Sequence, residues 1–261
     1  MTQEFTLAEL VIVACADAFR GNGEILASGV GTLPRIGAGL AKLTHSPELL
    51  MTDSEAFLIE DPIPLGPRTG TPALSGCMSY ARVFDIVWSG RRHAMIGPLQ
   101  IDRFGQTNLS GVGPYAQPKI AMLGMRGLPG NSANHINSMF VPNHSKRIFV
   151  EGEVDIVGGV GYNPARWLPG MNQTAVDLRR IVTDLCIMDF EGPDHAIRVR
   201  SLHPGVTFDQ VQDATGFPLI RPEGLGETPG PDDAALAVIA SLDPKGMRAS
   251  VFKDNPPARR S

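Results

Sequence analysis

Three short stretches carry the residue types that chemistry needs. Ser28-Gly-Val-Gly31 places glycines between an apolar run and a helical pattern, where backbone amides can receive a phosphate or carboxylate. A plain tight turn explains the same residues. Asp53-Ser-Glu55 offers two carboxylates two residues apart, suited to nucleophilic attack or general-base work at a strand end. If the strand continued, both would point to one side; a solvated loop is the plainer reading. Met125-Arg-Gly-Leu-Pro-Gly-Asn-Ser-Ala-Asn134 combines Arg126, a fixed planar cation, with glycines whose amides can approach a developing oxyanion. A Gly/Pro loop with Arg126 in a surface ion pair accounts for it equally well.

Other chemistries leave no trace. There is no G-x-x-x-x-G-K-[ST], G-x-G-x-x-G or G-x-S-x-G. Six histidines show no metal-ligand spacing, so no metal site is expected; His135 and His144 flank the third stretch and could bond substrate, but a structural role is the plainer reading for each. The three cysteines form no C-x-x-C pair. Cys15 and Cys186 sit in apolar runs as small hydrophobes, which points to a reducing cytoplasm.

The elements that must position these stretches follow from periodicity. Thr6-Leu-Ala-Glu9 is a capping box opening a helix that Gly21 and Gly23 end. Residues 23–29 read as a strand, 33–45 as a helix of small residues stopped by Pro47, and 48–52 as a second strand. Together they make a βαβ unit with a parallel sheet. Residues 60–79 read as a long loop, 83–90 as a helix, 93–101 as a strand, 102–108 as a polar turn and 109–145 as a second long loop. Further strands are expected at 147–157, 180–190 and 196–202. Thr207-Phe-Asp-Gln210 is a second capping box, residues 232–242 form an Ala-rich helix, and 255–261 form a tail expected to fray. An open α/β sheet, mostly parallel and flanked by helices, binds ligands at the carboxyl ends of its strands.

The 261 residues suit one α/β domain spanning 1–261. A hydrophobic content of 43% is that of a globular chain. A net charge of −4 gives no basic stripe for nucleic acid, and Arg91-Arg92-His93 is the one basic cluster. No apolar run approaches a membrane span, and MTQEFTLAEL lacks the basic region of a signal peptide.

The order of several motifs resembles the β-subunits of type I CoA-transferases. They are Gly29-Val-Gly-Thr-Leu-Pro34, Thr44-His45-Ser46-Pro47, Gln100-Ile-Asp102 with Gly105 and Asn108, Gly127-Leu-Pro-Gly130, and Leu202-His-Pro-Gly-Val-Thr207 with Thr215-Gly216. One branch is matched most closely: the β-subunit of the actinobacterial CoA-transferase-like hydrolase that opens the last rings of cholesterol. Leu50-Met-Thr-Asp-Ser-Glu-Ala56, Gly90-Arg-Arg-His93, Asp102-Arg-Phe-Gly105, Arg126-Gly-Leu-Pro-Gly-Asn131, Asn143-His-Ser-Lys-Arg147 and Asp189-Phe-Glu-Gly-Pro-Asp-His195 point there.

The resemblance implies a type I CoA-transferase fold and a separate α-subunit in an α2β2 heteromer. It further implies an acyl-CoA substrate with coenzyme A as part of it, and no permanently bound cofactor. Transferases of the family carry a nucleophilic glutamate in a Glu-small-Gly motif after the second strand. Here no glycine follows Glu55, and an ungapped alignment puts Ser54 at the nucleophile's place. The chemistry implied is therefore a retro-Claisen carbon–carbon hydrolysis, with an acid from the α-subunit. Arg126, Glu55 and Asp53 are the catalytic candidates. Gly29, Gly31, Ser54, Gly127, Gly130, Asn131 and Asn134 are the candidates for substrate and CoA binding. Two alternatives stand beside this: a CoA-transferase with Glu55 as nucleophile, and a scaffold subunit without catalytic residues.

Overall fold

The computed structural model describes residues 4–53, 57–68, 70–122, 124–125 and 127–258. The chain divides into two compact units, residues 1–95 with 228–261, and residues 96–227.

In the first unit, strand β1 (Phe5–Thr6) leads into helix α1 (Leu7–Asp17). The capping box forms as expected. Thr6 Oγ1 accepts from the Glu9 amide, and Glu9 Oε2 accepts from the Thr6 amide at 2.8 Å. Strand β2 (Leu26–Gly29) runs into helix α2 (Thr32–Leu43), then β3 (Met51–Thr52), β4 (Phe57–Ile59), β5 (Leu74–Cys77), helix α3 (Tyr80–Ser89) and β6 (Arg92–Ile96). Helix α6 (Asp233–Leu242) and β16 (Pro257–Ala258) complete the unit. The small residues of α2 do what their size allows. A Cβ on Gly37 would lie 2.7 Å from the Cys15 Cβ, and one on Gly39 would press on Leu242 of α6. The three helices therefore approach closely over Leu10, Ile12, Leu33, Ile36 and Leu40, all buried.

The βαβ expectation holds only in part. Ala27 and Leu50 share a backbone bond at 2.9 Å, but the ladder of β2 is with β6, Leu26 to Gly29 pairing with Arg92 to Met95. Beyond Leu50 the chain turns back at once, and β3 pairs antiparallel with β4, Met51 opposite Ile59. The segment 60–79, expected as loop, contains β5, which extends this hairpin. Of the tail expected to fray, residues 255–258 are described, and they are held. Pro257 and Ala258 pair with β1, and Asn255 Oδ1 accepts from the Ala8 amide at 3.1 Å.

The second unit contains β7 (Gln100–Ile101), β8 (Thr107–Asn108), β9 (Gly111–Val112), β10 (Ile120–Ala121) and helix α4 (Leu128–Asn134). It continues with β11 (Ile136–Val141), β12 (Asp177–Thr183), β13 (Cys186–Asp189), β14 (Arg198–Leu202), helix α5 (Phe208–Asp213) and β15 (Gly226–Glu227). β11 and β12 run parallel, β12, β13 and β14 alternate antiparallel, and β14 and β15 run parallel. The sheet is therefore mixed. Ile101, Met139, Phe149, Ile181, Met188 and Val199 fill its core.

Three expectations are corrected here. Residues 147–157 form no strand; Phe149 makes a single parallel bridge to Ile101. The true strand is β11, inside the segment expected as loop. Residues 180–190 are not one strand but two, because the chain reverses at Asp184-Leu185. Thr183 Oγ1 accepts from the Leu185 and Cys186 amides at 3.0 Å each, so a hydroxyl makes the turn that no glycine or proline announces. The strand expected at 93–101 is likewise interrupted after Ile96, where Gly97 and Pro98 intervene before β7.

Candidate functional site

In the first unit the turn after β2 is built by steric necessity. A Cβ on Gly29 would lie 2.2 Å from the Pro34 carbonyl oxygen and 2.7 Å from the Arg35 amide nitrogen. Those atoms are helix backbone and cannot yield. Gly31 has φ of 103°, a conformation open to glycine, and it caps α2 without a side chain. The Val30 amide is spent on the Met95 carbonyl at 2.9 Å. Packing thus accounts for Gly29 and Gly31 as glycines. Ser28 Oγ accepts from Arg92 Nε at 2.9 Å, and burial lowers the pKa of that guanidinium.

Asp53 stands at the tip of the β3–β4 hairpin and is buried. β3 ends at Thr52, where the second strand was expected to end. Asp53 N donates to the Phe57 carbonyl at 3.0 Å, and Asp53 Oδ1 accepts from the Phe57 amide at 3.2 Å. Arg68 Nη2 donates to the Asp53 carbonyl at 2.6 Å and reaches Oδ2 at 3.3 Å. Asp53 therefore ties Phe57 and Arg68 together, and its carboxylate holds the base of the hairpin tip. Ser54, Glu55 and Arg126 lie outside the described residues.

Arg35 belongs to the same neighbourhood. It is half-buried in the first turns of α2 and lines a small cavity with Met51, Thr52, Ile59 and Pro62. Arg68 lines an adjoining cleft of about 180 Å³ walled by Pro62, Ile63, Pro64 and Pro72. Burial, and then the charge of Arg68, push the Arg35 pKa down. Sequence reasoning missed both arginines. The signal available for Arg35 was a lone charge among Leu33, Pro34 and Ile36 in the first turns of the helix.

In the second unit, residues 127–134 are not an open glycine loop but the turn into α4, with Gly127 at its N-cap. The amides of Leu128 and Asn131 are spent on the Met125 and Gly127 carbonyls at 2.8 and 2.9 Å. That removes the Asn131 amide as an oxyanion donor. Asn131 itself is buried. Its Nδ2 donates to Asn137 Oδ1 at 2.5 Å, while its Oδ1 has no hydrogen-bond partner among the described residues. Asn134 is exposed and donates back to the Gly130 carbonyl at 2.9 Å, so it caps its own helix. Ser132 Oγ accepts from the Val160 amide at 3.0 Å, joining α4 to the 158–161 segment.

Several residues that carried the sequence resemblance meet in one structural cluster. His144 Nε2 lies 2.9 Å from Thr215 Oγ1 and Nδ1 3.2 Å from Thr183 Oγ1, while the ring stacks on Phe149 at 4.1 Å. His203 Nε2 lies 2.9 Å from the Thr183 carbonyl. The Gly216 amide donates to the Phe149 carbonyl at 2.8 Å. Burial lowers the His144 pKa to about 3 and that of His203 to about 4, so both imidazoles are neutral. Asp189 is another such residue; fully buried, it takes Arg198 through both carboxylate oxygens at 3.0 and 2.8 Å. These motifs shape the unit rather than react.

Among the described residues, no group of three His, Cys, Asp or Glu side chains is arranged to hold a metal ion. Cys15 and Cys186 are buried, and burial pushes their thiols up, that of Cys186 to about 12. Among the described residues no helix is long and apolar enough to cross a membrane.

No family model matches the chain. Individual relatives do, and their class is that of CoA-transferase β-subunits. The β-subunit of the 3-oxoadipate CoA-transferase of Pseudomonas knackmussii is 31% identical over 264 residues, covering 94% of this chain and 96% of the relative. Similarity is higher to the cholesterol ring-cleaving hydrolase IpdB subunit of Rhodococcus jostii, 47% identical over 253 residues, covering 94% and 95%. The crystal structure of Rhodococcus jostii IpdAB superposes with a TM-score of 0.89 at 45% identity, over 96% of this chain and 100% of that one. The chain has the CoA-transferase fold and belongs to the family of IpdB subunits.

Proposed function

We propose that this chain is the β-subunit of a two-subunit acyl-CoA hydrolase that opens a ring of a cholesterol-derived substrate by carbon–carbon cleavage. The observation that carries this reading is its near-full-length similarity to IpdB, a subunit of a cholesterol ring-cleaving hydrolase, in sequence and in structure. The partner is an α-subunit of the same fold, in an α2β2 assembly working in the cytoplasm. Coenzyme A enters as part of the substrate.

In the proposed reaction, water adds to a ring ketone whose carbonyl carbon is bonded to the carbon that leaves, the carbon α to the thioester. The carbon–carbon bond breaks and its electron pair is held as an enolate conjugated with the thioester. The enolate carbon takes a proton, and the former ketone becomes a carboxylate. CoA stays on the product. Arg126 and the amides of residues 127 and 130 stabilise the enolate oxygen. Glu55 orients the water, and the principal base comes from the partner. Asp53 serves as an anchor: its carboxylate is buried and engaged by Arg68 and the Phe57 amide, so it holds the segment on which Ser54 and Glu55 stand. Gly29 and Gly31 shape the turn beside it, and Asn131 and Asn134 support α4.

The test is product mass after turnover of a cyclic β-diketone-type acyl-CoA by the assembled enzyme in ¹⁸O water, with and without acetate. A product that retains CoA and gains one labelled water, independent of acetate, is expected. Acetyl-CoA formed only when acetate is present would make the protein a transferase with Glu55 as nucleophile. Arg126→Ala is expected to lower kcat by roughly 10²–10³, the loss that accompanies removal of one oxyanion donor. Unchanged turnover in that variant would remove Arg126 from the mechanism.

A further inference from the structure

Arg35 is half-buried, and among the described residues its guanidinium makes no hydrogen bond and no ion pair. The charge that acts on it is that of another guanidinium, Arg68. The two occupy adjoining cavities that share Pro62 and Ile63 as walls. Both lie against the end of β3: Arg35 faces Thr52, and Arg68 bonds Asp53. Among the described residues, Asp53 and Asp61 do not answer Arg35. Asp53 is committed to Arg68 and Phe57, and Asp61 is exposed on the lining of the larger cleft. Taking a guanidinium out of water beside a like charge is costly without a compensating anion. Pro62, Ile63 and Ile59 line the side of the pair nearest Arg35, and an apolar wall strengthens a charge-assisted hydrogen bond made against it.

We infer that Arg35 and Arg68, at the carboxyl end of β3, form a subsite for an oxyanion of the substrate or product. This rests on the acyl-CoA reading above. Two sources supply that chemistry. One is a phosphate of coenzyme A. The other is the carboxylate that hydrolysis of a ring ketone creates, for which a planar guanidinium fork is the matched partner.

The test measures equilibrium binding of CoA, 3′-dephospho-CoA and glutarate to the assembled two-subunit enzyme. The comparison is between wild type, Arg35→Gln and Arg35→Lys. Arg35→Gln keeps much of the stem that packs on α2 and removes the charge. It is expected to weaken CoA or glutarate by about tenfold or more, and Arg35→Lys to recover part of the loss. Weakening confined to glutarate identifies the carboxylate as the ligand. Weakening of CoA but not of 3′-dephospho-CoA identifies the 3′-phosphate, and equal weakening of both identifies the pyrophosphate. A second variant, Thr71→Glu, adds a carboxylate at an exposed position in the cleft of Arg68 and is expected to compete with the same ligand. Binding of CoA and glutarate within about twofold of wild type in Arg35→Gln, or no binding by wild type, overturns the subsite. The readout is binding alone. A complex that binds as expected but fails to hydrolyse the ring would instead refute the functional reading and leave the subsite standing.

Discussion

The His144–His203 cluster makes the stability of this protein depend on pH in a way that can be worked out from its bonds. Thr215 Oγ1 donates its one proton to the Val211 carbonyl at 2.8 Å, so toward His144 Nε2 it can only accept. Thr183 Oγ1 already accepts from the Leu185 and Cys186 amides, which occupies both its lone pairs. Its one proton lies within reach of both the Cys186 carbonyl at 3.1 Å and His144 Nδ1 at 3.2 Å, so Thr183 offers the imidazole no lone pair. His144 is thus fixed as the neutral tautomer with its proton on Nε2, and a second proton would find no acceptor. Burial acts in the same direction, and the pKa falls from 6.5 to about 3. His203 falls from 6.5 to about 4, again by burial, though its bond to the Thr183 carbonyl opposes the fall.

The sign follows from proton counting. Below pH 6.5 the unfolded chain binds a proton at each imidazole and the native chain does not, so unfolding is favoured as pH falls. Stability is whole above pH 6.5. It declines continuously until pH reaches the folded values near 4 and 3. At pH 5 a buffer lies about 1.5 pH units below the unfolded value, which costs about 2 kcal/mol per histidine, or about 4 kcal/mol for the two. Urea unfolding of the assembled enzyme at about pH 7.5 and about pH 5 measures this. The comparison is with the double variant His144→Gln, His203→Gln. That variant is less stable at the higher pH because the cluster is disturbed, but its pH dependence is expected to be flatter by about that amount. If wild type and variant lose the same stability between the two pH values, the neutral-histidine argument is wrong.

Three further outcomes follow from the first unit. Arg248→Ala leaves the fully buried Asp243 and the nearly buried Glu9 without their cation, and is expected to cost about 3 kcal/mol in urea unfolding; a loss under about 1 kcal/mol would make the triad a surface feature. Gly29→Ala drives a methyl into helix backbone at 2.2 Å and is expected to abolish assembly with the α-subunit or lower the melting temperature sharply, whereas Ser28→Ala removes only one hydroxyl contact to Arg92 and is expected to be mild. Arg68→Ala releases the Asp53 carbonyl and carboxylate and is expected to lower kcat, with Arg68→Lys restoring part of it; a kcat at the wild-type value would mean that the hairpin tip holds its geometry without the arginine.

What could be read from the sequence was what local chemistry determines. Thr6 with Glu9 and Thr207 with Gln210 form both reciprocal capping bonds, because a cap depends only on residues three apart. The Thr32–Leu43 helix and the Asp233–Leu242 helix follow from periodicity and small residues in the same way. The Ile136–Val141 strand was hidden for the opposite reason. Five of its six residues are buried, two of them the polar Asn137 and Ser138, so it shows neither alternation nor a continuous apolar run. Residues 147–157 have the composition of a strand, yet the chain there is held by a single bridge at Phe149.

The candidate site divides along the same line. Gly29 and Gly31 were legible as a glycine turn, and the structure supplies a steric reason for each that requires no ligand. Asp53 was legible as an acid at a strand end, but its partner Arg68 is fifteen residues away, and only the folded hairpin brings them together. That partner changes the meaning of Asp53. A carboxylate buried between a guanidinium and an amide has given up the freedom a base needs, which is why the proposed reaction assigns the water to Glu55 and not to Asp53. The same reasoning applies to the glycines of residues 127–130. In an extended loop their amides face outward, but in a helical turn the amides of Leu128 and Asn131 face back along the chain, so the proposed reaction draws on Arg126 and the amides of residues 127 and 130 instead. A residue's type states what chemistry it can do. Which chemistry remains open to it depends on how many of its lone pairs and protons the fold has already committed.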